Sequence, residues 1–320
     1  MKRKWVYENG WIGWHVLVLT GALLIAGSVL TATRTFFTVD TALRFLQVRS
    51  LIAQDWHTLA AIYPARFADP NLQFVPYYYG YGVVRGDIYL AISPFFPWFS
   101  SYLYVWLGQL GLVILPALGG VLTAVAIYKL GQLTGIRHAR WLFWSTVFAT
   151  PLLFYSLEFW DHSIGTALAA GAVYLLAKGL YTQKWAPILW GGITLGVGLG
   201  QRAELYVFAL SVGIVFLWVS WREWRHWLAL AGGGLLGTLP IWLWQYRWTG
   251  HPLGMDVAPH LLGYGRPATF PFESIKSSFF VNKGRFLFYV QARDPVTFLA
   301  TFAVLLGIVS IIWVIRIPKL

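Results

Sequence analysis

The 320-residue chain contains no cysteine and very few charged side chains. The absence of cysteine excludes disulfides and cysteine-ligated metals, and it indicates nothing about the redox compartment. Asp, Glu, Lys and Arg together make up 11% of the residues, whereas soluble domains average about 25%. This composition is typical of a polytopic membrane protein rather than of a soluble domain.

The residues that replace the missing charges are apolar and aromatic. Hydrophobic residues make up 58% of the chain, and they include 19 Trp, 17 Tyr and 22 Phe. Trp and Tyr concentrate where a protein crosses the two membrane–water interfaces. We therefore expect an all-α polytopic membrane protein.

Eight hydrophobic segments have the composition of membrane spans. They lie near residues 11–33, 105–130, 141–157, 163–181, 186–201, 205–220, 227–246 and 296–315. The first apolar run is about 20 residues long, whereas the apolar core of a signal peptide has about 7–15. We therefore expect an uncleaved first helix.

The formal net charge of +12 raises the question of a nucleic-acid partner. If the N-terminus is cytoplasmic, the inner side carries 12 of the 24 basic residues and only two of the 12 acids, Glu8 and Glu223. These basic residues are Lys2, Arg3, Lys4, Lys129, Arg137, Arg140, Lys178, Lys184, Arg222, Arg225, Arg316 and Lys319. The inner excess follows the positive-inside rule, so the basic charge indicates orientation and no nucleic-acid partner.

We predict one membrane-embedded domain over residues 1–320, with long extracytoplasmic loops near 34–105 and 247–295. Residues 41–54 of the first loop are predicted to form a helix lying in the interface. A helical wheel places Arg44 on the polar side of this helix and Arg49 on the apolar side. An arginine on a buried side needs a partner or a bound anion, unless it reaches up to the headgroups.

The rest of the first loop combines aromatic residues with proline and glycine. Tyr78 and Tyr81 lie in a Tyr- and Gly-rich stretch that suits either a sugar-binding surface or an ordinary interfacial belt. Pro94 and Pro97 interrupt residues 88–104, which predicts a broken or re-entrant helix there.

Three groups of ionisable residues are expected to converge at the outer leaflet. They are Asp40 after the first span, Glu158 and Asp161 before the fourth, and Arg202 with Glu204 between the fifth and sixth. Asp40 and Asp161 are each placed to cap the helix that follows, which is the structural alternative to a chemical role. His162 is more often structural than chemical in such a position.

Arg202 follows a short span. The run 186–200 would form about 22 Å of helix, less than the roughly 30 Å of the hydrocarbon core. Arg202 is therefore expected at or below the outer headgroups, where its planar fork suits a phosphate. The alternative is a structural ion pair with Asp161 or Glu204.

The order of these features resembles the GT-C superfamily of polytopic glycosyltransferases, which includes protein mannosyltransferases and the aminoarabinose lipid A transferase. The likeness covers most of residues 30–210. It rests on Asp40, the helix at 41–54, and the segments 86–90, 93–97, 115–122 and 198–204.

The resemblance implies inverting transfer of a sugar from a polyprenyl-phosphate donor to a glycan, lipid or protein acceptor on the outer face. It assigns Asp40 the role of base or metal-assisted activator, with Glu158 or Asp161 as the second acid. It assigns the donor phosphate to Arg202 and, more weakly, to Arg85. From the residues themselves we add Arg49 for the phosphate, and Tyr78, Tyr81 and His162 for sugar or acceptor contacts.

Two other functions stay open at this point. Arg49 and Arg202 would also suit a transporter or a protein that binds anionic membrane lipids. The chain could equally be an inactive GT-C-like partner subunit, because Thr41 stands where many members have a second acid beside Asp40. No cofactor is certain, and a divalent cation stays open. The resemblance favours the bacterial inner membrane as the location.

Overall fold

The structure is a computed structural model that describes residues 12–31, 38–77 and 80–262, with side chains as far as residue 258. These residues are mostly helical. The helices are α1 (Trp14–Thr31), α2 (Val39–Ala53), α3 (Phe95–Leu107), α4 (Gln109–Leu133), α5 (Ala139–Phe148), α6 (Leu152–Leu157), α7 (His162–Thr182), α8 (Trp185–Leu199), α9 (Glu204–Ser220), α10 (Trp224–Thr249) and α11 (Gly254–Leu262). A 3₁₀ turn spans Pro64–Phe67, and two strands, β1 (Tyr81–Val84) and β2 (Asp87–Leu90), form one hairpin.

Four of the helices, α1, α4, α7 and α10, are long and apolar enough to cross a membrane. Helices α8 and α9 are apolar but shorter, with 15 and 17 residues. Large apolar side chains such as Leu23, Val207 and Leu228 lie exposed on these helices, as expected for surfaces that contact lipid. The four long helices indicate a membrane protein, while the count of eight spans stays a prediction.

One of the predicted spans is interrupted, and another lies outside the described residues. The segment near 141–157 is two helices, because α5 ends at Phe148 and α6 begins at Leu152. Pro151 lies between them and disfavours helical geometry at Thr150, so the helix is interrupted within the predicted third span. The predicted eighth span and most of the second loop lie outside the described residues.

Helices α8 and α10 approach closely through glycines. A methyl group on Gly192 would lie 2.5 Å from the carbonyl oxygen of Leu230, and one on Gly237 would strike the backbone of α8 at Ile193. Small residues allow such an approach between membrane helices. Gly192 and Gly196 lie four residues apart on α8, and both face the backbone of α10 in this way.

The first loop is a folded unit built on α2. Helix α2 matches the predicted 41–54 helix closely, but the prediction of a helix from residue 88 is wrong. Residues 88–90 belong to β2, and the hairpin turns at Arg85 and Gly86, whose φ angles are 54° and 89°. Two successive positive φ angles are typical of a tight hairpin turn. Helix α3 begins only at Phe95, after Pro94.

Helix α2 buries the opposite side from the one that the helical wheel predicted. Arg49 is exposed, whereas Arg44, Gln47 and Ser50 are buried. Gln47 Nε2 donates to the carbonyl of Leu59 at 3.0 Å, and Ser50 Oγ accepts from the amide of Ile62 at 3.0 Å. The polar side faces inward because it satisfies the backbone of the following loop, which would otherwise be buried without partners.

Candidate functional site

Asp161 lies at the centre of a cluster of charged residues just before α7. Its side chain is 1% exposed and accepts hydrogen bonds from two arginines. Arg44 Nη2 lies 2.9 Å from Oδ2 and 3.1 Å from Oδ1, and Arg202 Nη1 lies 2.6 Å from Oδ1. We call the six interacting residues the Asp161 cluster: Asp40, Arg44, Asp161, His162, Arg202 and Glu204.

The two arginines keep Asp161 ionised. Burial raises the pKa of Asp161, but the charges of Arg44 and Arg202 and the hydrogen bond from Arg44 outweigh burial and hold this pKa well below its ordinary value. A carboxylate of this kind is a poor proton acceptor near neutral pH. Its geometry suits an anchor that holds two guanidinium groups in place.

Neither acid caps a helix as predicted. Asp161 occupies the N-cap position of α7, but its side chain makes no capping hydrogen bond because both oxygens face arginines. Thr38 caps α2, since its Oγ1 accepts from the amide of Thr41 at 3.2 Å. Asp40 lies in the first turn of α2, where a negative charge is favourable.

Asp40 is a solvent-exposed acid of the cluster and lies in the first turn of α2. Its side chain is 55% exposed, and Oδ2 lies 3.7 Å from Nη1 of Arg44. The same Nη1 donates to the backbone carbonyl of Asp40 at 3.0 Å. Arg44 therefore ties the first turn of α2 to Asp161, and the Asp40 carboxylate stands at the solvent edge of that link.

Arg202 makes both of the ion pairs that the sequence offered as alternatives. Its Nη1 contacts Asp161, while Nε lies 3.2 Å from Oε2 of Glu204 and Nη2 lies 2.7 Å from Oε1. Arg202 is 17% exposed and Glu204 is 70% exposed. The structural ion pair is thus confirmed, and one edge of the guanidinium faces a carboxylate that is open to solvent.

His162 lies beside Arg202 within an aromatic frame. Its ring stacks on Tyr155 at 4.4 Å and meets the edge of Trp160 at 4.2 Å. Its Nδ1 lies 3.0 Å from Nη1 of Arg202, closer than the 3.5 Å to Asp161 Oδ1. A guanidinium only donates hydrogen bonds, so Nδ1 accepts and the ring proton is assigned to Nε2.

Glu158 lies apart from the cluster. It ends α6 and is half-buried, and this burial raises its pKa. Among the described residues no hydrogen bond or ion pair links its carboxylate to Asp161 or Arg202. Within the described part of the chain, Glu158 therefore lacks the contacts that would place it in the same site as Asp161 and Arg202.

The remaining predicted residues do not join the cluster through any contact in the described ranges. Arg85 is exposed at the tip of the hairpin, and Arg49 is exposed on α2. Tyr81 packs edge-on against Tyr77 with ring centroids 6.3 Å apart. Tyr78 lies outside the described residues.

Sequence reasoning missed two residues of the site region. The helical wheel places Arg44 on the polar side of α2 and gives it no partner. Its position four residues after Asp40 is a helical ion-pair spacing and is the signal that identifies it. The second residue is Asp256 in α11. Its Oδ1 is enclosed without a hydrogen-bond partner in the described part of the chain.

Asp256 lies within the electrostatic reach of the cluster. Burial raises the pKa of Asp256 to about 7, and the negative charges of Asp161 and Glu204 act in the same direction. Hydrogen bonds from backbone amides oppose this shift but do not cancel it. Asp256 is therefore a carboxyl group that exchanges its proton near neutral pH.

Arginines face the acids of the Asp161 cluster. No group of three or more His, Asp or Glu side chains that could hold a metal ion occurs in residues 12–31, 38–77 and 80–258. Both oxygens of Asp161 face arginines, and Asp40 lies beside Arg44. A divalent cation at Asp40 stays a prediction from the resemblance.

Comparison of the chain with protein-family models, with curated proteins and with solved structures gives no match. The fold itself defines the class: a mainly helical protein with four helices that are long and apolar enough to cross a membrane. The resemblance to the GT-C superfamily stays a prediction. The geometry of the Asp161 cluster is therefore the observation from which a function can be inferred.

Proposed function

We propose that this protein is a membrane glycosyltransferase of the GT-C type. It would move a sugar from a polyprenyl-phosphate-linked donor to a glycan, lipid or protein acceptor at the outer face of the membrane. One observation carries the proposal: an exposed carboxylate, Asp40, and a guanidinium, Arg202, are held on two sides of one buried anchor, Asp161.

The proposed reaction needs both of these groups. The acceptor oxygen attacks the anomeric carbon from the face opposite the phosphate, and its proton passes to Asp40. The bond between the anomeric carbon and the phosphate oxygen breaks, and the phosphate leaves with the electron pair. Arg202 stabilises the charge that develops on that oxygen. A single displacement of this kind inverts the configuration at the anomeric carbon.

The other cluster residues would position these two. Arg44 bonds the backbone carbonyl of Asp40 and also holds Asp161, so it fixes the distance between the α2 and α7 ends of the site. His162 presents an Nε2–H donor that could bind a sugar hydroxyl, because its Nδ1 is occupied by Arg202. Neither residue exchanges a proton in the proposed reaction.

The proposed location follows from charge and resemblance. The excess of basic residues on one side favours a cytoplasmic N-terminus, which would place Asp40, Asp161 and Arg202 at the outer face. The resemblance favours the bacterial inner membrane. Reporter fusions within residues 34–105 test this orientation, and a cytoplasmic signal there would contradict the proposal.

A transfer assay with a radiolabelled polyprenyl-phosphate sugar tests the activity directly. We expect Asp40→Asn to lower kcat by about 10²–10⁴-fold, because a general base of this kind contributes that much. Asp87→Asn is the matched control, since Asp87 is an exposed acid of the same loop and should leave turnover unchanged.

The same assay separates the alternatives. Unchanged turnover by a folded Asp40→Asn protein would remove Asp40 from the mechanism. Binding of the donor lipid without transfer would favour a transporter or an anionic-lipid-binding protein. Activity that requires a copurifying membrane protein would favour a partner subunit.

A further inference from the structure

The guanidinium of Arg202 divides its contacts between two sides. Nη1 faces inward to Asp161 and His162. Nε and Nη2 form the other edge, which binds the two oxygens of Glu204. This second edge is the one that the fork geometry of arginine offers to two oxygens of a phosphate or a carboxylate.

The two carboxylates that hold Arg202 differ in how easily they can be replaced. Asp161 is almost fully enclosed and is also bonded by Arg44, so its removal would leave the two arginines with only the exposed carboxylates of Asp40 and Glu204 as counter-charges. Glu204 is 70% exposed and stands only two residues from Arg202 in the chain. Because Glu204 is exposed, its carboxylate regains contact with water when it leaves Arg202, so its displacement costs less than that of Asp161.

We infer that Glu204 occupies the phosphate-binding edge of Arg202 in the free protein, and that the phosphate of a lipid-linked donor displaces it. This inference rests on the proposed function and adds a residue that competes with the substrate. The carboxylate stands in for the phosphate, and it carries the same single negative charge as a phosphodiester. Exchange of one for the other leaves the net charge of the cluster unchanged.

The competition also bears on product release. Loss of the sugar converts the donor phosphodiester into a phosphate monoester with a charge of about −1.5 to −2. That group would bind Arg202 more tightly than the donor does. A carboxylate two residues away that returns to the guanidinium would favour release of the product phosphate.

Binding measurements test this inference without requiring catalysis. The full-length protein in detergent would be titrated with farnesyl monophosphate, a short polyprenyl phosphate, and separately with inorganic phosphate. We expect Glu204→Gln to bind farnesyl monophosphate roughly tenfold more tightly than the wild type, because the competing charge is gone. Glu223→Gln is the matched control, since Glu223, like Glu204, lies at the start of a helix and is exposed.

The expected pattern includes the loss of binding in Arg202→Gln and no change in Glu223→Gln. Glu204→Ala removes the carboxylate without an amide and should reproduce the gain. An equal gain in affinity for inorganic phosphate would mean that the site recognises the phosphate group alone. A gain in affinity for farnesyl monophosphate only would mean that the lipid chain contributes to recognition. Either result supports the competition.

Other outcomes overturn the inference and are distinct from failure of the proposed enzyme. Unchanged or weaker binding by both Glu204 variants, with binding still lost in Arg202→Gln, would show that Glu204 does not compete, and would leave the transferase proposal intact. Binding that survives Arg202→Gln would show that the phosphate does not use this guanidinium. Tighter binding by the Glu204 variants without any sugar transfer would support the competition and contradict the enzyme.

Discussion

Asp161 before α7 and Asp256 in α11 are both enclosed carboxyl groups, but their surroundings have opposite charge. Two guanidinium groups bond Asp161, whereas Oδ1 of Asp256 has no hydrogen-bond partner among the described residues. The pKa of Asp161 falls well below its ordinary value, and the pKa of Asp256 rises to about 7. Burial acts in the same direction on both, so the partners decide the difference.

The difference assigns separate roles to the two acids. Asp161 stays charged and organises the arginines of its cluster. Asp256 has a proton to give or accept near neutral pH, close enough to feel the charges of Asp161 and Glu204.

Removal of the Asp161 charge is expected to change the free energy of unfolding more than any other substitution compared here. Asp161→Asn would leave Arg44 and Arg202 with too little counter-charge, and loss of one partner from a buried ion pair costs about 3–5 kcal/mol. We expect a loss of that order in the free energy of unfolding, measured by thermal or denaturant unfolding in detergent. Asp87→Asn, which alters an exposed acid, should unfold like the wild type. An Asp161→Asn protein as stable as the wild type would show that Asp161 is not the anchor.

Asp256→Asn is expected to stabilise the protein, whereas Asp161→Asn is expected to destabilise it. The folded pKa of about 7 lies above the ordinary value of 3.8, so the folded state binds the proton more tightly than the unfolded state. The native protein is therefore destabilised as pH rises from about 4 to about 7, by about 4 kcal/mol at most, and the penalty is constant above that range. Asp256→Asn should remove this penalty.

Thermal unfolding across pH 4–8 measures this second effect. We expect the stability gained by Asp256→Asn to be small near pH 4 and to grow toward pH 7. The contribution of Asp161 has the reverse sign, because its lowered pKa makes its stabilisation fade only as pH falls below about 4. Parallel pH curves for the wild type and Asp256→Asn would contradict the raised pKa of Asp256.

Local sequence patterns predicted the parts of the site that lie close together in the chain. The spacing of Arg202 and Glu204 was enough to predict an ion pair that the structure contains. The helix of the first loop was also predicted within two residues at its start and one at its end. These features depend on neighbours within one turn or one element.

The features that could not be predicted from the sequence depend mainly on contacts between residues far apart in the chain. Arg44 lies 117 residues from Asp161, so no local pattern connects them. The buried face of α2 is polar because Gln47 and Ser50 bond a loop about 12 residues away, and a helical wheel treats such a face as exposed. The hairpin was missed because strands of four residues give too short an alternation to detect.

The smallest expected effect compares Thr38 with Asp40 at the start of α2. Thr38 caps the helix, so Thr38→Ala should lower the free energy of unfolding by about 1 kcal/mol. Asp40 contributes its charge to the first turn, and Asp40→Asn should cost less, about 0.3–1 kcal/mol. Thermal unfolding of both variants and of the wild type measures which substitution lowers the free energy of unfolding more. An Asp40→Asn protein that is less stable than Thr38→Ala would make Asp40 a structural acid, and would remove the basis for assigning its loss of turnover to a missing base.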